Sequence, residues 1–149
     1  MTQTQSDVKV TQASSINPSN CDPFIIGFVD ARLIQNGKPD GLFFIDTSNV
    51  PSSAYEGTSQ LRTACRLNAK IAWVAYGFNP YDYVQIQFIG NSDAWGGTGQ
   101  PYPAGDDIFT GQVQNATGGG YQIELQVKPA NAPNFVAPKT QLDVEVVNA

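Results

Sequence analysis

Hydrophobic and polar positions alternate over short runs along most of the chain. In 121–128, Tyr121, Ile123, Leu125 and Val127 alternate with Gln122, Glu124, Gln126 and Lys128, and in 141–147 Leu142, Val144 and Val146 alternate with Asp143 and Glu145. A period of two places one set on a buried face and the other in solvent, so each run predicts a half-buried strand. Further runs rich in Val, Ile, Phe and Tyr lie at 24–33, 42–46, 60–67, 70–78, 83–89 and 108–114, each closed by Gly, Pro, Asn or Asp. About eight strands result, and no segment repeats apolar residues at helical spacing. The turn residues at 36–41, 79–82 and 118–120 suit reversals between antiparallel neighbours. The pattern predicts an all-β fold, a single-domain antiparallel β-sandwich over 21–149.

Two segments depart from the alternation. Ile71-Ala72-Trp73-Val74-Ala75-Tyr76-Gly77-Phe78 is apolar on both phases. Such a strand is expected at the centre of the fold, covered on one face by the second sheet and on the other by a loop or a partner. Trp73, Tyr76, Phe78, Tyr81 and Tyr83 straddle the turn that follows it, and core packing is expected of them rather than a ligand platform. Residues 1–20 are mostly Gln, Ser, Thr and Asn with one apolar flicker at 8–10. They read as a flexible polar tail holding at most a short edge strand.

Composition narrows the chemistry. Of 149 residues only 14% are charged, the formal net charge is -5, and histidine is absent. Basic residues are scattered apart from Arg62 and Arg66, which excludes nucleic acid as a partner. Without His the commonest general base and the commonest zinc ligand are missing, so a non-enzymatic protein without a cofactor is expected. Any metal site must then be built from oxygen, favouring calcium. No apolar stretch approaches the roughly 20 residues that span a bilayer, so membrane insertion is not expected. The opening residues 1–7 offer neither the basic start nor the apolar stretch of a classical signal peptide, so a cytoplasmic location, or export by another route, is expected. Cys65 shares the inward phase of Leu61 and Thr63. Two reduced thiols are expected in a cytosolic setting, with a Cys21–Cys65 disulfide as the alternative.

The segment 91–107 is the longest break between strands. Long loops on rigid sandwiches commonly carry binding sites. Trp95 and Tyr102 offer flat faces for stacking, Asn91 an amide, and Asp93, Asp106 and Asp107 the hard oxygen ligands that calcium prefers. Together they form a candidate carbohydrate-binding loop, with or without calcium. The bland alternative folds both aromatics back as loop anchors and leaves the aspartates to solvate the tip. A third reading makes Glu124 and Glu145 the carboxylate pair of a glycoside hydrolase, against their being ordinary solvent-face residues. The partner classes left open are a glycan, a protein, or a second copy of the chain through exposed aromatics or strand edges.

Gly57-Thr58, Ile71-Ala72-Trp73, Asn79 and Tyr83-Val84-Gln85-Ile86 follow one another in an order that resembles the AidA/PixA-type bacterial inclusion-body protein family. The resemblance spans about 24–90. It implies a small bacterial β-sandwich without established catalysis and assigns no functional residue.

Overall fold

The computed structural model describes residues 12–97 and 100–147. Nine strands form two packed sheets: β1 (Phe24–Val29), β2 (Leu42–Asp46), β3 (Arg62–Cys65), β4 (Lys70–Gly77), β5 (Tyr83–Ile89), β6 (Tyr102–Pro103), β7 (Ile108–Gln112), β8 (Gly119–Lys128) and β9 (Lys139–Val146). The first sheet runs in the order β2-β1-β4-β7-β6 and the second in the order β3-β9-β8-β5. The sandwich is therefore the predicted one, with one strand more. β6 escapes the pattern because two residues, one of them Pro, carry no alternation. The run at 24–33 ends early, at Val29, because the Asp30 carboxylate accepts the Arg32 N–H (3.1 Å) and turns the chain.

The pairing is mostly but not wholly antiparallel. β1 pairs with β4 in parallel, and β3 with β9 likewise, within a sandwich whose other strand pairs are antiparallel as expected. The cause is sheet switching: β2 pairs back on β1, β3 belongs to the opposite sheet, and the chain returns to β1 as β4 running in the same direction.

Between the sheets lies one apolar core. Ile25, Val29, Leu42, Phe44, Ile71 and Trp73 come from the first sheet and Tyr121, Ile123, Leu125, Val127, Leu142 and Val144 from the second. The inward phases are those read from the alternation of β8 and β9. Burial of this kind is the dominant favourable contribution to folding, roughly 25 cal/mol per Å² of apolar surface. The turn into β8 requires glycine: Gly118 sits at φ +64°, and a Cβ there would collide with the Val144 carbonyl oxygen.

Residues 14–20 are joined to the first sheet. Ser14 N–H donates to the Pro103 carbonyl (2.6 Å), and the Thr110 hydroxyl donates to the Ile16 carbonyl (3.0 Å). A 3-10 turn at Pro18–Asn20, capped by the Asn17 side chain, follows. The apolar flicker at 8–10 lies outside the described residues.

Among the described residues two of the four sheet edges are covered and a third is cut short. β2 exchanges backbone bonds with 57–58 (Phe44 N–H to Thr58, 3.0 Å; Gly57 N–H to Phe44, 2.7 Å), and β3 does so with Ala54 through Arg62 (2.9 Å each way). β6 is two residues long, and Pro103 has no N–H to offer. β5 pairs with β8 on one side, and no described residue pairs with its other side.

Candidate ligand groove

The open edge of β5 lies beside the β6–β7 hairpin, because these strands end their respective sheets on the same side of the sandwich. Between them runs a groove of about 540 Å³. Its walls are Phe88, Gln85 and Gln87 from β5 and Tyr102, Pro103 and Ile108 from the hairpin, with Asn91 and Asp107 at the rim. A bulge between Ile86 and Phe88 shifts the register of β5 against β8 at this point. Bulges re-aim side chains, and Phe88 stands half exposed here.

Of the six loop residues singled out from the sequence, the fold brings together Asn91, Tyr102 and Asp107. Asp106 does not line this groove; together with Asp107 it lines the adjoining concavity beside Tyr76 and Pro80. Asp93 sits at the first turn of a short 3-10 helix, Asp93–Trp95, next to Gly119 at the start of β8. The three aspartates therefore do not converge, and among the described residues no group of three or more His, Cys, Asp or Glu side chains is placed to hold a metal. The calcium site drawn on Asp93, Asp106 and Asp107 is corrected on that geometry.

Trp95 requires the larger correction. It is 0% exposed, and its indole N–H donates to the Gly90 carbonyl (3.2 Å). Its ring packs edge-on against Trp73 (5.5 Å between centroids) and tilted against Tyr121 (5.2 Å). Ser92 caps the 3-10 turn that drives it inward by accepting the Ala94 N–H (3.1 Å). A wholly buried indole cannot stack on a ligand, so Trp95 is the anchor of the loop and not its platform. Phe88 is the aromatic that sequence reasoning missed. Its phase in β5 is that of Val84 and Ile86, and only the bulge at 86–88, a tertiary feature, exposes it.

The other sequence candidates separate on geometry. Glu124 pairs in register with Lys139, so Glu145 lies six residues further along β9, roughly 20 Å away at about 3.3 Å per residue. Glycoside hydrolysis needs the two carboxyl groups within about 5–10 Å, so this pair does not form a hydrolytic site. Cys21 and Cys65 are both free. Cys65 is buried, and burial with the Asp46 charge nearby pushes its thiol up to about 11, leaving it protonated and inert. Among the aromatics around the turn at 79–82, only Trp73 is in the core; Tyr76, Phe78, Tyr81 and Tyr83 stand at the surface, contrary to the expected packing. No helix among the described residues is long and apolar enough to cross a membrane.

Chemically the groove is mixed: two glutamines and an asparagine that both donate and accept, aromatic faces from Phe88 and Tyr102, and one carboxylate. It offers no cation and no thiol.

The crystal structure of inclusion body protein PixA from Burkholderia cenocepacia J2315 has a similar fold, with a TM-score of 0.63 over 89% of this chain and 100% of that one at 11% sequence identity. The resemblance read from the sequence thus holds at the level of the fold. No curated protein matches the chain. A family model described as a domain of unknown function (DUF8788) matches residues 24–132, most of the described sandwich, and the chain belongs to that family.

Proposed function

We propose that this protein is a non-enzymatic binding protein whose ligand surface is the groove between β5 and the β6–β7 hairpin, and that its ligand is a saccharide. The observation that carries the reading is the meeting of Asn91, Tyr102 and Asp107 with Phe88, Gln85 and Gln87 around one concavity of about 540 Å³. That volume lies within the roughly 300–1,000 Å³ of small-molecule sites. Side-chain amides and a carboxylate suit the paired donor and acceptor character of sugar hydroxyls, and aromatic faces suit the apolar face of a pyranose ring. The carbohydrate-binding reading of the 91–107 loop is kept, with Phe88 in place of Trp95 and with no part for calcium.

A glycan array followed by titration calorimetry tests it. Binding is expected to be the same with and without calcium, and to fall at least tenfold in Tyr102→Ala and Phe88→Ala, with melting temperatures close to that of the parent protein. A flat array, or a bound glycan whose affinity neither substitution changes, would sink the proposal.

A further inference from the structure

Of the four strands that end the two sheets, β5 is the longest and the least protected. It has seven residues, against five in β2, four in β3 and two in β6. Tyr83-Val84-Gln85-Ile86-Gln87-Phe88-Ile89 carries no charge and no Pro, and the bulge at 86–88 is the one feature that blunts its edge. Left bare, a strand of this composition invites aggregation. β2 and β3 avoid that by pairing with nearby loop backbone, at 57–58 and at Ala54.

The chain holds a segment that fits the remaining edge. Ser14 N–H donates to the Pro103 carbonyl (2.6 Å), so the chain joins the sandwich at β6, the wall of the groove across from β5. Ala13 and Gly105 border one concavity, and Gly105 also lines the groove. Eleven residues precede Gln12. Packed sheets lie about 10 Å apart, a distance that about three extended residues span, so residues 4–10 are within reach of β5 and match it in length. Their pattern suits the place: Thr4, Ser6, Val8 and Val10 alternate with Gln5, Asp7 and Lys9. A period of two is the signature of a half-buried strand, and the charges of Asp7 and Lys9 on one phase supply the guard against further pairing that β5 lacks.

We propose that residues 4–10 add to the free edge of β5 as a fifth strand of the second sheet, within the same chain. This goes beyond the saccharide reading and does not rest on it. The main chain of the added strand takes up the unpaired groups of β5, while Val8 and Val10 meet the apolar side of the groove formed by Ile86, Ile89 and Phe109. A ligand of the groove then competes with the strand for the same space. The tether selects this chain over a second copy. Only residues 11–13 separate the segment from Ser14, and so short a link gives an effective concentration in the millimolar range.

Hydrogen–deuterium exchange of the full chain, without any saccharide, tests this. The amides of 4–10 and of β5 are expected to exchange at least tenfold more slowly than those of an unstructured peptide. Protection is expected to be equal at about 1 and about 100 µM, both far below the millimolar effective concentration of the tether. Neighbouring residues of a strand turn their N–H groups to opposite sides, so Val8→Pro/Lys9→Pro removes a bond to β5 in either register. That variant is expected to speed exchange in β5 about tenfold and to leave β1 and β9 as in the wild type. Residues 4–10 exchanging at the unstructured rate overturn the proposal. So does β5 protection that the variant leaves unchanged, or protection that appears only as concentration rises, which puts the segment of a second copy on the edge. With no saccharide present, each of these failures leaves the saccharide reading untouched.

Discussion

The indole N–H of Trp73 on β4 donates to the hydroxyl of Tyr121 on β8 across 3.0 Å, a side-chain hydrogen bond that joins the two sheets through the middle of the core. The rings also meet edge to face at 5.8 Å. Burial pushes the Tyr121 phenol well above its usual range, so it stays neutral throughout the physiological range and serves only as a structural partner. Tyr121→Phe keeps the ring and strands the Trp73 N–H without a partner. An unsatisfied buried donor costs about 1–3 kcal/mol, so urea denaturation is expected to show a loss of that size with an unchanged slope.

Trp95 completes the aromatic cluster from the loop side. Trp95→Ala removes a fully buried indole from contact with both Trp73 and Tyr121 and is expected to cost about 3–5 kcal/mol, a large share of the roughly 5–15 kcal/mol of a typical domain. Trp95→Phe is expected to lose less, since a ring still fills most of the space. Thermal melts of the two variants check the order. Glycan binding by the folded fraction of Trp95→Phe is expected to match the parent's, because Trp95 does not reach the groove.

The two thiols differ in reactivity. Cys65 is buried, its thiol raised to about 11, whereas Cys21 is partly exposed and raised less. The thiolate is the reacting form, so a thiol-specific chromogenic reagent at pH 8 is expected to label Cys21 slowly and Cys65 only after denaturation. Two equally fast labels in the native protein would contradict the burial of Cys65.

Glu56 makes stability depend on pH in a direction unusual for a carboxylate. It accepts the Asp46 N–H (3.0 Å), while the second oxygen of the Asp46 carboxylate is buried with no hydrogen-bond partner. Partial desolvation first, and then the Asp46 carboxyl beside it, hold the Glu56 carboxyl above its ordinary value. A raised acid favours the folded state when protonated; its stabilising contribution is complete below the unfolded pKa and is lost as pH rises through the folded one. Glu56→Gln keeps the acceptor and removes the charge. Its melting temperature is expected to exceed the wild type's at pH 7, and the two are expected to converge below about pH 4, where carboxylates protonate.

Much of this fold was legible in the alternation. β2 and β5 begin and end where the apolar runs do, and the inward sets of β8 and β9 are those the period of two requires. The candidate site was legible only in part. Asn91, Tyr102 and Asp107 belong to the groove as loop residues, yet Phe88 joins them only because a bulge interrupts β5. Trp95 could not be told from a ligand platform by composition, since an indole in a polar loop looks the same whether it faces water or the core.

By itself the sequence determined which residues pair inward, because a period of two along a strand is a local steric property of the backbone. It also determined that no histidine is available to serve as a base or a metal ligand. The tertiary structure alone decided which strands are neighbours and in which direction they run. Switching between sheets brought β1 beside β4 and β3 beside β9 in parallel, and strand order follows from long-range packing, which no local pattern encodes. It decided too what covers each face of β4. The doubly apolar run announced that both faces needed covering, but the inner face met the second sheet, while residues 14–20 reached only the far end of the outer one. What the alternation left as a need for a loop or a partner, the fold turned into a specific aromatic surface.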